Sequence, residues 1–188
     1  MSSAALTVLA TCKAWLKITT STGDSLISSL IAGVSAAASI YCNRNFGSAS
    51  YTEIYSGEGT RTLFLKNRPC TAVTSMTLNG LAVPARPSVN ANGYAFDANN
   101  LFYDWGFTTG FQNVTVVYTA GFAVNATATP DIWEAATEWV GELYKQSERI
   151  GKKSDTLGTQ TTSYINDIPH QTKRVFDMYR NVALQGTV

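Results

Sequence analysis

Apolar residues recur every third or fourth position near both ends of this chain, and every second position through its middle. The first periodicity belongs to helices packed on one face, the second to half-buried strands. Near the front, Val8, Cys12, Trp15 and Leu16 share one helical face, in a short helix that Thr7 or Ser3 can cap and that runs to about Ile18. Thr22 is placed to cap a longer helix, with Asp24 in its first turn and an apolar stripe of Ile27, Leu30, Ile31, Val34, Ala38 and Tyr41. Its opposite face, Ser25, Ser28, Ser29, Ala32, Ser35 and Ser39, is small and uncharged. That face suits either solvent or close packing against another helix.

From Tyr51 to Phe122 alternation takes over. Short runs at Tyr51–Ser56, Thr62–Leu65, Val73–Leu78, Leu81–Val83, Tyr94–Phe96, Leu101–Trp105 and Val114–Tyr118 predict roughly five to seven antiparallel strands. Asn79–Gly80 is a preferred tight hairpin turn, and Pro84 and Pro87 restrict the strand beside them to a sheet edge. Helix resumes at Pro130 behind Thr129 and is expected to reach about Ile150, stopping at Gly151. Lys152–Ser163 reads as a loop, and a last helix is expected from His170 to about Leu184. The predicted fold class is α+β. A helical bundle (two N-terminal helices, one long helix, one C-terminal helix) carries an inserted small antiparallel β-sheet or barrel. The expected domains are 1–50 with 123–188 for the helices and 51–122 for the insertion.

Composition sharpens this picture. Only 14% of the 188 residues are charged while 45% are hydrophobic, so the surface is either neutral and polar or covered by other copies. The net charge of +1 excludes a polybasic DNA-gripping surface. Three widely spaced cysteines, Cys12, Cys42 and Cys70, suggest neither a disulfide framework nor a zinc site and fit a reducing cytoplasm. No signal peptide is expected and no apolar run is expected to reach membrane-spanning length.

Candidate chemistry is sparse. His170 is the single histidine, and a triad of Ser163, His170 and Asp167 lacks any supporting motif. Gly57–Glu58–Gly59–Thr60 precedes a strand and lacks the ending of a phosphate loop. Asp97 and Asp104 lie among Tyr94, Phe96, Phe102, Tyr103 and Trp105, a composition that also occurs at sugar-binding surfaces. No catalytic residue, cofactor or metal is expected. One pattern stands out: Glu134, Glu138 and Glu142 form an acidic stripe at i,i+4 spacing, a solvated face or the wall of a pore that DNA slides through without sticking.

The ordered set of motifs resembles the head–tail connector (adaptor) proteins of tailed double-stranded DNA bacteriophages. Val8, Cys12–Leu16, Asp24, Leu26, Leu30 and Ile31 are similar to that family's opening helix pair. Ile40–Phe46 resembles its helix end. Leu63, Leu65, Arg68–Pro69, Val73, Met76 and Leu78–Gly80 look like its first hairpins, and Val116–Phe122 before Pro130 like the strand feeding its long helix. Leu143–Tyr144, Arg149–Gly151, Lys153–Asp155, Ser163–Tyr164 and Val175–Phe176 with Tyr179–Arg180 continue the match.

The resemblance implies a head-completion adaptor in the virion neck, assembled in the host cytoplasm as a homo-oligomeric ring, usually of twelve copies. Its implied partners are the portal protein above and a tail or stopper protein below. Genome DNA would pass without sequence-specific binding, and no membrane is involved. The C-terminal helix would reach the portal through Lys173, Arg174, Val175, Phe176, Tyr179 and Arg180, and the acidic stripe would line the bore. Removing 169–188 is expected to leave a soluble chain that cannot dock. A stopper protein and a virion carbohydrate-binding module are the alternative readings.

Overall fold

The computed structural model describes residues 4–88, 91–147, 154–157, 160–163 and 168–181. It divides into two compact units: 1–46 with 124–188, and 47–123 between them.

The first unit is helical: α1 (Leu9–Leu16), α2 (Asp24–Tyr41), α3 (Pro130–Ser147) and α4 (His170–Tyr179). Its core takes one face from each: Cys12; Ile27, Ile31, Val34 and Ala38; Ile132, Ala135, Ala136 and Val140; and Phe176, with Leu6 and Phe46 beside them. Each large apolar side chain withdrawn from water contributes about 1.5–3 kcal/mol. The α2 stripe is thus the expected one, except that Leu30 and Tyr41 are only half-buried.

The predicted caps differ. Neither Thr7 nor Thr22 caps a helix. Thr7 is buried, and its hydroxyl bonds that of Thr137 on α3 at 2.7 Å. Val8 and Gly23 occupy the cap positions without a side-chain bond. A hydroxyl in reach of a buried partner gains more than one left at a wet helix end. Ser35, expected on the outer face of α2, is buried: it accepts the Leu6 N–H at 3.1 Å and donates to the Ile31 carbonyl at 2.7 Å. The Trp15 ring lies on Gly141 of α3, where an added Cβ would meet the ring at 2.5 Å, so only glycine lets the two helices approach this closely.

α2 also corrects the expected lack of a long apolar run. Its 18 residues have a mean hydropathy of 1.3, which meets the length and composition of a membrane span, and only 28% of them are buried. Its buried face is nevertheless committed to the helical core.

The second unit is formed by β1 (Ala49–Gly57), β2 (Thr62–Phe64), β3 (Cys70–Leu78), β4 (Leu81–Val83), β5 (Tyr94–Phe96), β6 (Asn100–Tyr103) and β7 (Gly110–Ala120). They make two antiparallel sheets, ordered β1-β7-β3-β4 and β2-β6-β5, and not a closed barrel. β7 is the central strand, and its Val114, Val116, Tyr118 and Ala120 alternate into the core with Met76, Leu78, Leu101 and Phe107. β4 lies at the edge that the nearby prolines predict. At Gly121, φ is +122° and a Cβ would lie 2.3 Å from the Gly47 carbonyl, so glycine is required where the two ends of this unit meet.

The segment expected as a loop contains a hairpin, β8 (Ser154–Leu157) and β9 (Gln160–Ser163), paired antiparallel. Its threonines favour extended backbone, a local preference that polar composition had masked. The expected helical extensions to Ile150 and Leu184 lie outside the described residues, as do Asp167 and the stop at Gly151.

Candidate assembly surfaces

A polar cluster holds α4 to the end of α2. The Tyr41 hydroxyl donates to Asp177 at 2.5 Å, the Cys42 thiol to the Phe176 carbonyl at 3.3 Å, and Arg44 Nη1 to the Tyr179 carbonyl at 3.0 Å. The Asn181 N–H donates to the Cys42 carbonyl at 2.8 Å. From α3, Asp131 accepts the Tyr179 hydroxyl at 2.5 Å. Burial, with the Asp131 bond adding to it, pushes the Tyr179 phenol up to about 12. Burial, with the Asp177 charge adding to it, pushes the Cys42 thiol up to about 11 against the opposing charges of Arg44 and Arg180. Tyr41 is also raised, chiefly by its bond to Asp177.

These contacts sort the six residues expected at the C-terminal contact. Phe176 is fully buried between Phe46, at 6.1 Å between ring centroids, and Trp139, at 6.0 Å. It is a core residue and is not available to a partner in this fold. Tyr179 is half-buried and bonded to Asp131, and Val175 is half-buried. Lys173, Arg174 and Arg180 are exposed, with the Arg180 guanidinium 5.6 Å from the Tyr41 ring centre. Met178, an apolar residue outside that expected set, is 72% exposed beside them. The accessible face of α4, with Arg180 just past its end, therefore carries more basic than acidic side chains, Asp177 being its one exposed acid, and one large apolar side chain. Deleting 169–188 would also strip Phe176 from the core, so it would not leave an intact helical unit.

The acidic stripe is not uniform either. Glu134 is exposed, while Glu138 and Glu142 are half-buried. Glu138 Oε2 accepts from the Thr172 hydroxyl at 2.9 Å, and that hydroxyl also lies 3.2 Å from the Ala135 carbonyl. Glu142 has Lys145 at 3.9 Å. Glu138 thus fastens α4 to α3, and Glu134 and Glu142 carry what outward charge the stripe presents.

The outer face of α2 is the largest contrast with α3 and α4. Ser25, Leu26, Ser28, Ser29, Ala32, Gly33, Ala36 and Ile40 are exposed, and none is charged. Ile40 is 81% exposed. The Ser29 and Ser39 hydroxyls donate to carbonyls one turn back, those of Ser25 and Ser35, so covering this face would strand few donors.

The other candidates take structural positions. Asp97 accepts from the Asn99 and Asn100 backbones, which hold its carboxyl below the usual range, and Asp104 pairs with Arg86. Both acids are used in shaping turns of the β unit. His170 is exposed at the start of α4. Cys12, Cys42 and Cys70 are all buried free thiols, and no cluster of metal-ligating side chains occurs among the described residues.

The fold is α+β, a helical unit split in sequence by a β insertion. The chain belongs to the head completion protein family, whose sequence profile matches residues 5–182. No curated protein sequence matches it. Its fold is shared with chains from gene transfer agent particles. One is in the neck of an empty particle computed with C6 symmetry (TM-score 0.60, 17% identity, 95% of this chain and 91% of that one). Another is in the virion of the native particle (0.59, 16%, 95% and 91%). A third is in the native neck computed with C12 symmetry (0.55, 15%, 93% and 91%).

Proposed function

We propose that this protein is the adaptor of a virion neck. Copies close a ring beneath the portal, complete the head, connect it to the tail or stopper protein, and leave a bore for the genome. The observation that carries this is the head completion match over 5–182, nearly the whole chain. Twelve copies is the number proposed, in keeping with the C12 symmetry computed for one neck of the same fold. A closed ring needs two different faces per copy, each meeting the other on its neighbour. The uncharged outer face of α2 suits one of them, because burying it desolvates no ion.

The exposed Lys173 and Arg174 on α4, with Met178 and with Arg180 just past the helix end, are assigned to the portal. Glu134 and Glu142 are assigned to the bore, where negative charge repels the DNA backbone. We assign the protein no reaction and no cofactor.

Cryo-EM of the intact neck tests the reading: density for this chain in a ring touching the portal is expected, and density in the tail or on the capsid surface would overturn it. Glu134→Lys with Glu142→Lys should leave the fold intact and lower infectious titre at least tenfold. An unchanged titre would remove the bore assignment.

A further inference from the structure

The two edges of the four-stranded sheet are built differently. β4 is three residues long and runs into Pro84, which cannot donate a ladder hydrogen bond. β1, the other edge, has nine residues, spans about 30 Å, and among the described residues pairs with β7 alone. About half of its backbone N–H and C=O groups therefore face away from the sheet. Soluble proteins guard such edges with lysine, proline or an inward-pointing charge that resists pairing. β1 has no lysine and no proline. Its one charged residue, Glu53, does point inward, but its carboxylate is already satisfied within the unit, accepting from Tyr118 Oη at 2.7 Å, from Asn67 Nδ2 at 2.8 Å and from Tyr55 Oη. The side chains β1 exposes are Ser50, Thr52, Ile54 and Ser56. The sole irregularity in its pairing falls at the far end, between Tyr55 and Gly57.

The β8–β9 hairpin presents the complementary problem. It forms a sheet of its own with two strands of four residues, and no third strand pairs with it among the described residues. A lone two-stranded ribbon is marginal in water and gains stability from a third strand. Its sequences, Ser–Asp–Thr–Leu and Gln–Thr–Thr–Ser, have one charge and no proline.

We propose that the β8–β9 hairpin of one copy adds to the β1 edge of the next, as one heterologous contact of the ring. This rests on the ring reading above and names the surfaces that meet. Each copy then offers one hairpin and one open edge, which is the pairing of unlike faces that ring closure demands. Backbone hydrogen bonds supply the attraction, so the contact requires no charge on either side.

The test uses the full chain, alone and added to DNA-filled heads lacking tails, with oligomeric state followed by light scattering. Thr52→Cys combined with Thr156→Cys, and separately with Thr161→Cys, is treated with a short bismaleimide. The native thiols are buried, and the single variants control for them. A ladder of dimers, trimers and higher products is expected for at least one pair, only under conditions where rings form. Rings without a ladder, a link confined to one chain, or a link to a different protein would each overturn the proposal while leaving the ring standing. Absence of rings on heads as well as in solution would overturn both. Independently, Ile54→Lys, at a position 52% exposed, should keep the monomer's melting temperature and weaken ring formation at least tenfold. Normal rings from that variant would also overturn it.

Discussion

The helical unit and the β unit reach their cores by opposite routes. The β unit is a continuous stretch, 47–123, and its strongest pairings join strands within it. The helical unit is assembled from the two ends of the chain. Thr7 meets Thr137, Cys42 meets Phe176 and Tyr41 meets Asp177, each pair more than 125 residues apart. The β unit can therefore form before the helical unit closes, while the helical unit must gather both ends across the insertion. Closing that long loop costs entropy before any contact repays it. The α4 contacts complete this closure, so the helix whose outer face is assigned to the portal is also one that its own unit cannot spare.

Phe176→Ala should break the contrast most strongly. Loss of a ring fully buried against Phe46 and Trp139 is expected to cost about 3–5 kcal/mol, seen in urea as early loss of helical signal with the β unit's transition unmoved. Simultaneous loss of both signals would show the units to be one cooperative body. Next is Tyr118→Phe, the counterpart in the β unit. It removes a donor to Glu53 and an acceptor for the Asn67 N–H, and should cost about 1–3 kcal/mol there while leaving the helical transition in place.

Alkaline titration should give a smaller effect in both units. Cys42 in the helical unit is raised to about 11, and Tyr179 and Tyr118, one in each unit, to about 12. Each keeps its proton in the folded chain at pH values where the unfolded chain releases it. Their contribution is therefore complete below the unfolded values and is lost as pH rises through the folded ones. Stability measured by urea should begin to fall near pH 9 and continue falling to about pH 12. Cys42→Ala should remove the early part and Tyr179→Phe part of the later fall in the helical unit only. A helical transition equally sensitive in those variants would refute the assignment. Smallest of all, Lys173→Ala with Arg174→Ala should change stability by less than about 0.5 kcal/mol, since both are exposed, yet weaken binding to heads. Unchanged binding would move the portal contact away from α4.

Much was legible from the order of residues because periodicity reports directly on which face is buried. It predicted a helix–strand–helix order, the α2 stripe and the edge position of β4, and the sequence resemblance agrees with the head completion family. Positions whose partner lies far along the chain were not legible. Thr7 reads as a cap until Thr137 is beside it, and Ser35 as a surface serine until Leu6 packs over it. Phe176 and Glu138 read as contact and pore residues until α4 closes on α3. Local sequence determines which face of an element is apolar, because that depends only on neighbours one turn or two residues away. Which of its polar groups stay free for a partner depends on what tertiary packing brings within hydrogen-bond reach, and that only the folded chain decided.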